Sequence, residues 1–259
     1  MTNQIKLFDT HCHLDFPQFR KHLDKILIKA EETGICGILI PGVKKDGWRL
    51  IRQISANHSI CHTALGLHPL FIEQHQKAHI HDLELALSAG SVAAIGEIGL
   101  DYYNEGSNRH LQVEFLKAQI SIAKDANLPI VLHVRKAHDE IIKILGQLKF
   151  SNGGIIHAFN GSEHQANKYI NQGFKLGFGG AMTYPRAAKL HRLAKNLPLE
   201  SIVIETDAPD MSPVTCKSAF NTPLHLFDNF RCLVTLREES ASQIANQVNI
   251  NTHQVLNIE

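Results

Sequence analysis

Eight times along the chain, a short run rich in Val, Ile, Leu and Gly gives way to a longer segment. The runs cover residues 5–13, 34–42, 62–69, 91–101, 128–135, 153–159, 174–180 and 201–208. Between them lie amphipathic stretches with helical spacing, such as 21–33, 110–126 and 162–172, with Gly34 and Gly173 placed as helix stops. Continuous apolar strands separated by helices call for a parallel sheet covered on both faces. Eight such units predict an α/β fold, a (β/α)8 TIM-type barrel. No linker, repeat or composition break divides the chain, so a single domain over residues 1–259 is expected. The aperiodic segment 210–223 is expected as a long loop over the mouth. From about residue 224 onward, one or two helices are expected to close the outside.

The first run ends in Phe8-Asp9-Thr10-His11-Cys12-His13. Side chains alternate along a strand, so Asp9, His11 and His13 share one face. One His-x-His pair means little in a chain with 17 histidines. Its weight grows because other ligand types recur where a barrel gathers its functional groups, at the C-terminal ends of strands. Glu97 sits in the fourth run, His133 closes the fifth, His157 the sixth and Asp207 the eighth. A carboxylate within the apolar run 94–101 is costly to bury unless something pairs with it. Gly96 and Gly99, around Ile98, are expected to leave room for a ligand above the barrel.

Four imidazoles and two carboxylates are too many for one tetrahedral ion. They suit two divalent ions sharing a carboxylate, about 3.5–4 Å apart. The ligand mix favours Zn, Mn, Fe or Ni over Mg alone, which prefers all-oxygen shells.

A formal net charge of +1 supplies no basic field for wrapping nucleic acid, so an anionic substrate must be held locally. Five cysteines without a C-x-x-C pair point to free thiols in a reducing compartment. Neither a signal-peptide pattern nor a membrane-spanning run is found, and a cytoplasmic monomer is the expectation.

Beyond Phe8-Asp9-Thr10-His11-Cys12-His13, the chain carries Gly66-Leu67-His68-Pro69, Gly96-Glu97-Ile98-Gly99-Leu100-Asp101, His133-Val134-Arg135, His157-Ala158-Phe159 and Glu205-Thr206-Asp207-Ala208-Pro209. With these motifs it resembles the TatD family of metal-dependent hydrolases from Phe8 to nearly the C-terminus. The resemblance implies a TIM-type barrel that hydrolyses phosphodiester bonds in DNA from the 3′ end. It implies one ion on His11, His13 and Asp207, a second on His133 and His157, and Glu97 bridging them. Asp207 and Glu97 are then the catalytic residues, with two divalent ions (Zn, Mn, Ni, Fe or Mg) as cofactors. His68 is implied to face the substrate. Arg135, on the strand parity of His133, is placed to reach a phosphate. Asp9 and Glu205 lie one layer deeper than His11 and Asp207, as orienting residues or as anchors of the core. Tyr102 and Tyr103 offer a stacking face for a base or simply pack. Arg186 is a further phosphate candidate. Family members often carry an arginine beside an Asn-x-Pro element, whereas Phe220-Asn221-Thr222-Pro223 has none, leaving Lys217 as the nearby cation. The expected partner is therefore a short 3′ end of DNA. The alternative is a metal-dependent esterase or amidohydrolase acting on a small substrate or an aminoacyl-tRNA ester.

Overall fold

The computed structural model describes residues 5–104, 106 and 108–258; residues 1–4, 105, 107 and 259 lie outside the described residues. The elements follow in the order β1 (Leu7–Asp9), α1 (Leu23–Thr33), β2 (Ile35–Pro41), α2 (Lys45–Asn57), β3 (Cys61–Leu65), α3 (Ala78–Leu87), β4 (Ala94–Asp101) and α4 (Arg109–Asp125). They continue with β5 (Ile130–Arg135), α5 (His138–Gln147), β6 (Gly154–Ile156), α6 (Glu163–Asn171), β7 (Phe174–Phe178), α7 (Ala188–Asn196), β8 (Ile202–Ile204), α8 (Leu226–Leu236) and α9 (Ala241–Leu256). Gly34 stops α1 in the left-handed region at φ 103°, where its N–H reaches back to Ala30 and Glu31.

Among the described residues, eight parallel strands pair in sequence order. The ring is drawn together between its first and last strands by Thr10 N to Ile204 O (3.1 Å), Asp207 N to His11 O (2.8 Å) and His13 N to Ala208 O (2.8 Å). The predicted (β/α)8 barrel is thus the observed fold. Inside it, Phe8, Leu39, Ala64, Ala94, Val131, Ile155 and Val203 make one buried layer.

Two expectations are corrected. The C-terminal segment does more than lie against the outside: Val255 and Leu256 of α9 pack onto that inner layer and plug the barrel from its lower end. Asn249 of α9 accepts from Phe8 N and donates to Lys6 O. Asn251, fully buried, donates to Leu199 O and Ile202 O, so one helix holds the feet of both β1 and β8. Nor do Gly96 and Gly99 leave space for a ligand. A Cβ on Gly96 would meet Val131 Cβ at 2.6 Å, and one on Gly99 would overlap the carbonyl of His133. They let β5 close on β4, and that pair runs on through Gly99–His133 to Asp101–Arg135. Glu97 and His133 therefore sit within their strands, whereas His11, His13, His157 and Asp207 lie just beyond theirs.

The segment after β8 is a loop until a short 3-10 turn at Pro223–His225, which leads into α8. Buried Asn221 pins it by donating to Thr206 O and Asp210 O, both at 2.8 Å. None of the five cysteines is disulfide-bonded. No helix among the described residues is long and apolar enough to cross a membrane.

Candidate metal centre

Where β1 and β8 meet, Asp9 is buried and clamps both backbones, accepting from His11 N (3.2 Å), Thr206 N (2.9 Å) and the Thr206 hydroxyl. Its partners are main chain and hydroxyl, so it fixes the course of the two strands rather than the turn of a ring. Above it, Asp207 adopts φ 56° and Ala158, following β6, φ 45°. Left-handed backbone at a non-glycine residue costs on the order of 1 kcal/mol or more and persists where surrounding bonds hold it. Here those turns aim Asp207 and His157 over the barrel axis.

His11 Nε2 then lies 3.2 Å from His13 Nε2, 3.2 Å from Glu97 Oε2 and 3.7 Å from Asp207 Oδ1. His13 Nε2 lies 3.7 Å from the same Glu97 oxygen and 3.5 Å from the same Asp207 oxygen. Ligand atoms about 2.1 Å from one four-coordinate ion stand about 3.4 Å apart. The separations match that spacing, and two lone-pair nitrogens facing two carboxylates fit a divalent cation.

The other Glu97 oxygen, Oε1, lies 3.2 Å from His68 Nε2 and 3.1 Å from His133 Nδ1. These two histidines present different atoms. Leu70 N donates to His68 Nδ1, so the neutral ring of His68 carries its proton on Nε2 and is a donor toward the site. His133 Nε2 faces Asp101 Oδ2 at 2.9 Å, which leaves its Nδ1 lone pair directed at Glu97. His157 repeats that logic with the nitrogens exchanged: Nδ1 lies 3.0 Å from Glu205 Oε1 and Nε2 3.5 Å from Asp207 Oδ2. Glu205 Oε1 also accepts from Ala158 N. Its carboxylate occupies the space that a side chain at Gly177 would fill. Carboxylates behind ligating imidazoles fix tautomer and ring orientation.

Among the described residues, three groupings satisfy a cation's reach: His11, His13 and Glu97; His11, His157 and Asp207; His68, Glu97 and His133. The resemblance pairs His133 with His157, whereas the structure sets His157 against Asp207 and His11, and His133 against Glu97 and His68. Asp101 belongs to this constellation although its sequence motif alone does not single it out. Its signal is parity, four residues from Glu97 on the same strand.

Charges in this buried cluster shift one another. Burial alone would raise Glu97, but the facing His68 and His11 hold its carboxyl well below the usual range. Asp207 is likewise depressed against its burial by His157 and His13. Burial dominates at His68 and pushes it down to about 4, so it is neutral at pH 7. His133 and His157 are raised despite burial, the first by Asp101 and Glu97, the second by Glu205 and Asp207.

A cavity of about 480 Å³ opens above these groups. Arg135 lines it, with its guanidinium 3.7 Å from the centroid of the exposed Tyr103 ring. Tyr102 is buried and packs beside Arg109. Arg186 lies over Tyr184, and neither it nor Lys217 lines the cavity.

The family model described as TatD related DNase matches residues 8–257. The metal-dependent hydrolase YjjV of Escherichia coli K12 is 35% identical over 255 residues, covering 98% of each chain. The crystal structure of YjjV superposes with a TM-score of 0.95, covering 98% of this chain and 99% of that one. A protein of Pectobacterium carotovorum named 3′-5′ ssDNA/RNA exonuclease TatD is 28% identical, covering 97% of this chain and all of the relative. A match of this extent, on a barrel whose mouth assembles these residues, places the chain in the TatD-related DNase family.

Proposed function

We propose that this member of a family of metal-dependent hydrolases holds two divalent cations and cleaves phosphodiester bonds at the 3′ ends of nucleic acid. The observation that carries the reading is Glu97, whose two oxygens face separate histidine groups, Oε2 toward His11 and His13 and Oε1 toward His133. One ion would be held by His11, His13, Glu97 and Asp207. A second would be held by Glu97 with His133, and His157, which the resemblance assigns to that ion, would approach it from the side of Asp207. When bound, such cations supply Lewis acidity, making water acidic near neutral pH and stabilising charge on the attacking and leaving oxygens. Asp207 orients the attacking water and receives its proton. His68, fixed as an Nε2–H donor, offers a hydrogen bond to a substrate oxygen. Asp101 and Glu205 hold His133 and His157 in the ligating orientation, and Arg135 meets a flanking phosphate. The relative named as a 3′-5′ single-strand exonuclease supports this choice of bond.

A second reading keeps the site and changes the substrate to a small ester or amide, or an aminoacyl-tRNA ester. The apolar residues along one side of the cavity favour it, among them Phe159, Phe178 and Met182. Hydrolysis measured side by side on a DNA oligomer, an RNA oligomer, an aminoacyl ester and a lactone, with Zn, Mn, Ni, Fe and Mg in turn, separates the two. Faster turnover of the carboxylic esters than of both oligomers would displace the nuclease.

A further inference from the structure

Two histidines of the centre have a carboxylate directly at their back, Asp101 behind His133 and Glu205 behind His157. Asp9 is committed to His11 N and to Thr206. One buried carboxylate near these ligands remains, that of Asp15. It sits at 8% exposure in the turn closed by Phe16 N donating to His13 O at 3.0 Å. Its Oδ1 is buried and, among the described residues, has no hydrogen-bond partner. His13 has the matching deficit. Phe16 stacks on its ring at 4.7 Å, Nε2 faces Glu97 and Asp207, and Nδ1 is buried without a partner. His11 Nδ1 is also without one, but burial lifts the Asp15 carboxyl above its ordinary range and it is His13, not His11, that opposes the rise. The other Asp15 oxygen, Oδ2, looks toward the start of α2, where a Cβ on Gly47 would stand 3.2 Å from it. Lys44, the residue before that helix, makes no capping hydrogen bond through its side chain.

Resting on the reading in which His13 binds a cation through Nε2, we propose that Asp15 is the positioning residue for His13, joined to its Nδ1 through one bridging water. A neutral imidazole that ligates through Nε2 carries its proton on Nδ1, which makes His13 Nδ1 a buried donor. Asp15 Oδ1 is a buried acceptor, and the two are not in direct hydrogen bond. A water that accepts from the first and donates to the second satisfies both. A carboxylate on this line fixes the tautomer and the turn of the ring and makes Nε2 a stronger ligand. The competing role for Asp15 is to serve only the first turn of α2, whose free N–H groups and dipole favour a negative charge. That role accounts for Oδ2 but leaves Oδ1 and His13 Nδ1 both unsatisfied.

The test titrates the full-length, metal-free protein with zinc by calorimetry. Asp15→Asn keeps the shape of the side chain and, because Asn starts a helix about as well as Asp, keeps any service to α2. It removes the charge behind His13. The expected result is a loss of about 10- to 100-fold in one of two zinc-binding steps, with thermal unfolding of the metal-free protein little changed. Combined with Asp101→Asn, which acts on the other ion, it should weaken both steps. A second readout is magnetic resonance of the zinc-loaded protein carrying isotope-labelled histidine. In the parent the His13 Nδ1 proton should lie at low field and exchange slowly with solvent; in Asp15→Asn it should move upfield and exchange faster. Unchanged zinc steps and an unchanged His13 signal in the folded variant overturn the proposal and leave Asp15 to the start of α2. A rapidly exchanging His13 Nδ1 proton in the parent overturns it whether or not the variant folds. A single zinc equivalent in the parent overturns the two-cation reading instead, and the proposal then holds only if that one step weakens in Asp15→Asn.

Discussion

Asp101 Oδ2 stands 2.9 Å from His133 Nε2, on the far side of the ring from Glu97. The same carboxylate is tied down through Oδ1, which accepts from Tyr103 N, so its position does not depend on the histidine. Asp101→Asn should keep the fold and weaken binding of one of two cations about 10- to 100-fold, the usual effect of losing a carboxylate behind a ligating imidazole. Calorimetric metal titration reads this directly. Two unchanged binding steps would show that Asp101 only anchors the loop.

Glu97 lies between the two histidine groups, and among the described residues no other carboxylate faces His133 Nδ1. Glu97→Ala should therefore lose one ion and most activity together. Elemental analysis after desalting gives the count; two retained equivalents would rule out the bridging position.

Asp207 and Glu205 differ in what they touch. Asp207 faces His11, His13 and His157, while Glu205 backs His157 and holds Ala158 N. Asp207→Asn should lower kcat at least ~100-fold, as for a lost acid or base. Glu205→Gln should cost less, because the amide oxygen can still accept from Ala158. A greater loss from Glu205→Gln, with both variants folded, would reverse the proposed roles.

Burial raises the Asp9 carboxyl from 3.8 to about 7, against the hydrogen bonds from Thr206 and His11. The folded chain then keeps a proton that the unfolded chain releases near pH 4. Its contribution to stability is fully present below about pH 4 and is lost as the pH rises to about 7. Asp9→Asn has no such proton. Between pH 4 and pH 8, metal-free wild type should lose about 2–4 kcal/mol more than the variant, since each pH unit separating the folded and unfolded titrations is worth about 1.4 kcal/mol. Urea unfolding with a chelator present measures both slopes, and parallel curves would show that Asp9 is charged throughout.

Few cations line the mouth and the formal net charge is +1. Two or three phosphate contacts give a salt slope of roughly −1.5 to −2 for a single strand, at about −0.7 each. Binding of a 3′ single-stranded oligomer to the Asp207→Asn variant across salt gives the value. A slope steeper than about −5 would reveal a long track over the surface.

The barrel was legible because strands buried on both faces become unbroken apolar runs, and the ligand types were legible because strand parity sorts side chains between faces. What lay beyond the sequence was distance across strands. Parity puts Asp101 on the face of Glu97, but a carboxylate closing a strand looks the same whether it meets solvent or the back of His133. The grouping of His68 with Glu97 and His133 depends on how neighbouring strands are staggered, which no single run records. Gly96 and Gly99 are ambiguous for a related reason: an absent side chain makes room, but the sequence does not say whether a ligand or the next strand takes it. Helix α9 shows an apolar stripe without revealing that its last turn enters the end of the barrel.

That helix sets the order in which the centre can come into being. His11 and His13 emerge early from the ribosome, but their strand is aligned by Asp207 and Ala208 and footed by Asn249, all made in the last fifth of the chain. Until α9 has left the exit tunnel and docked, the first two histidines have no partner strand and the cavity has no far wall. A nascent chain thus carries His11 and His13 through the synthesis of the whole barrel without the assembled site, which forms only once α9 has docked.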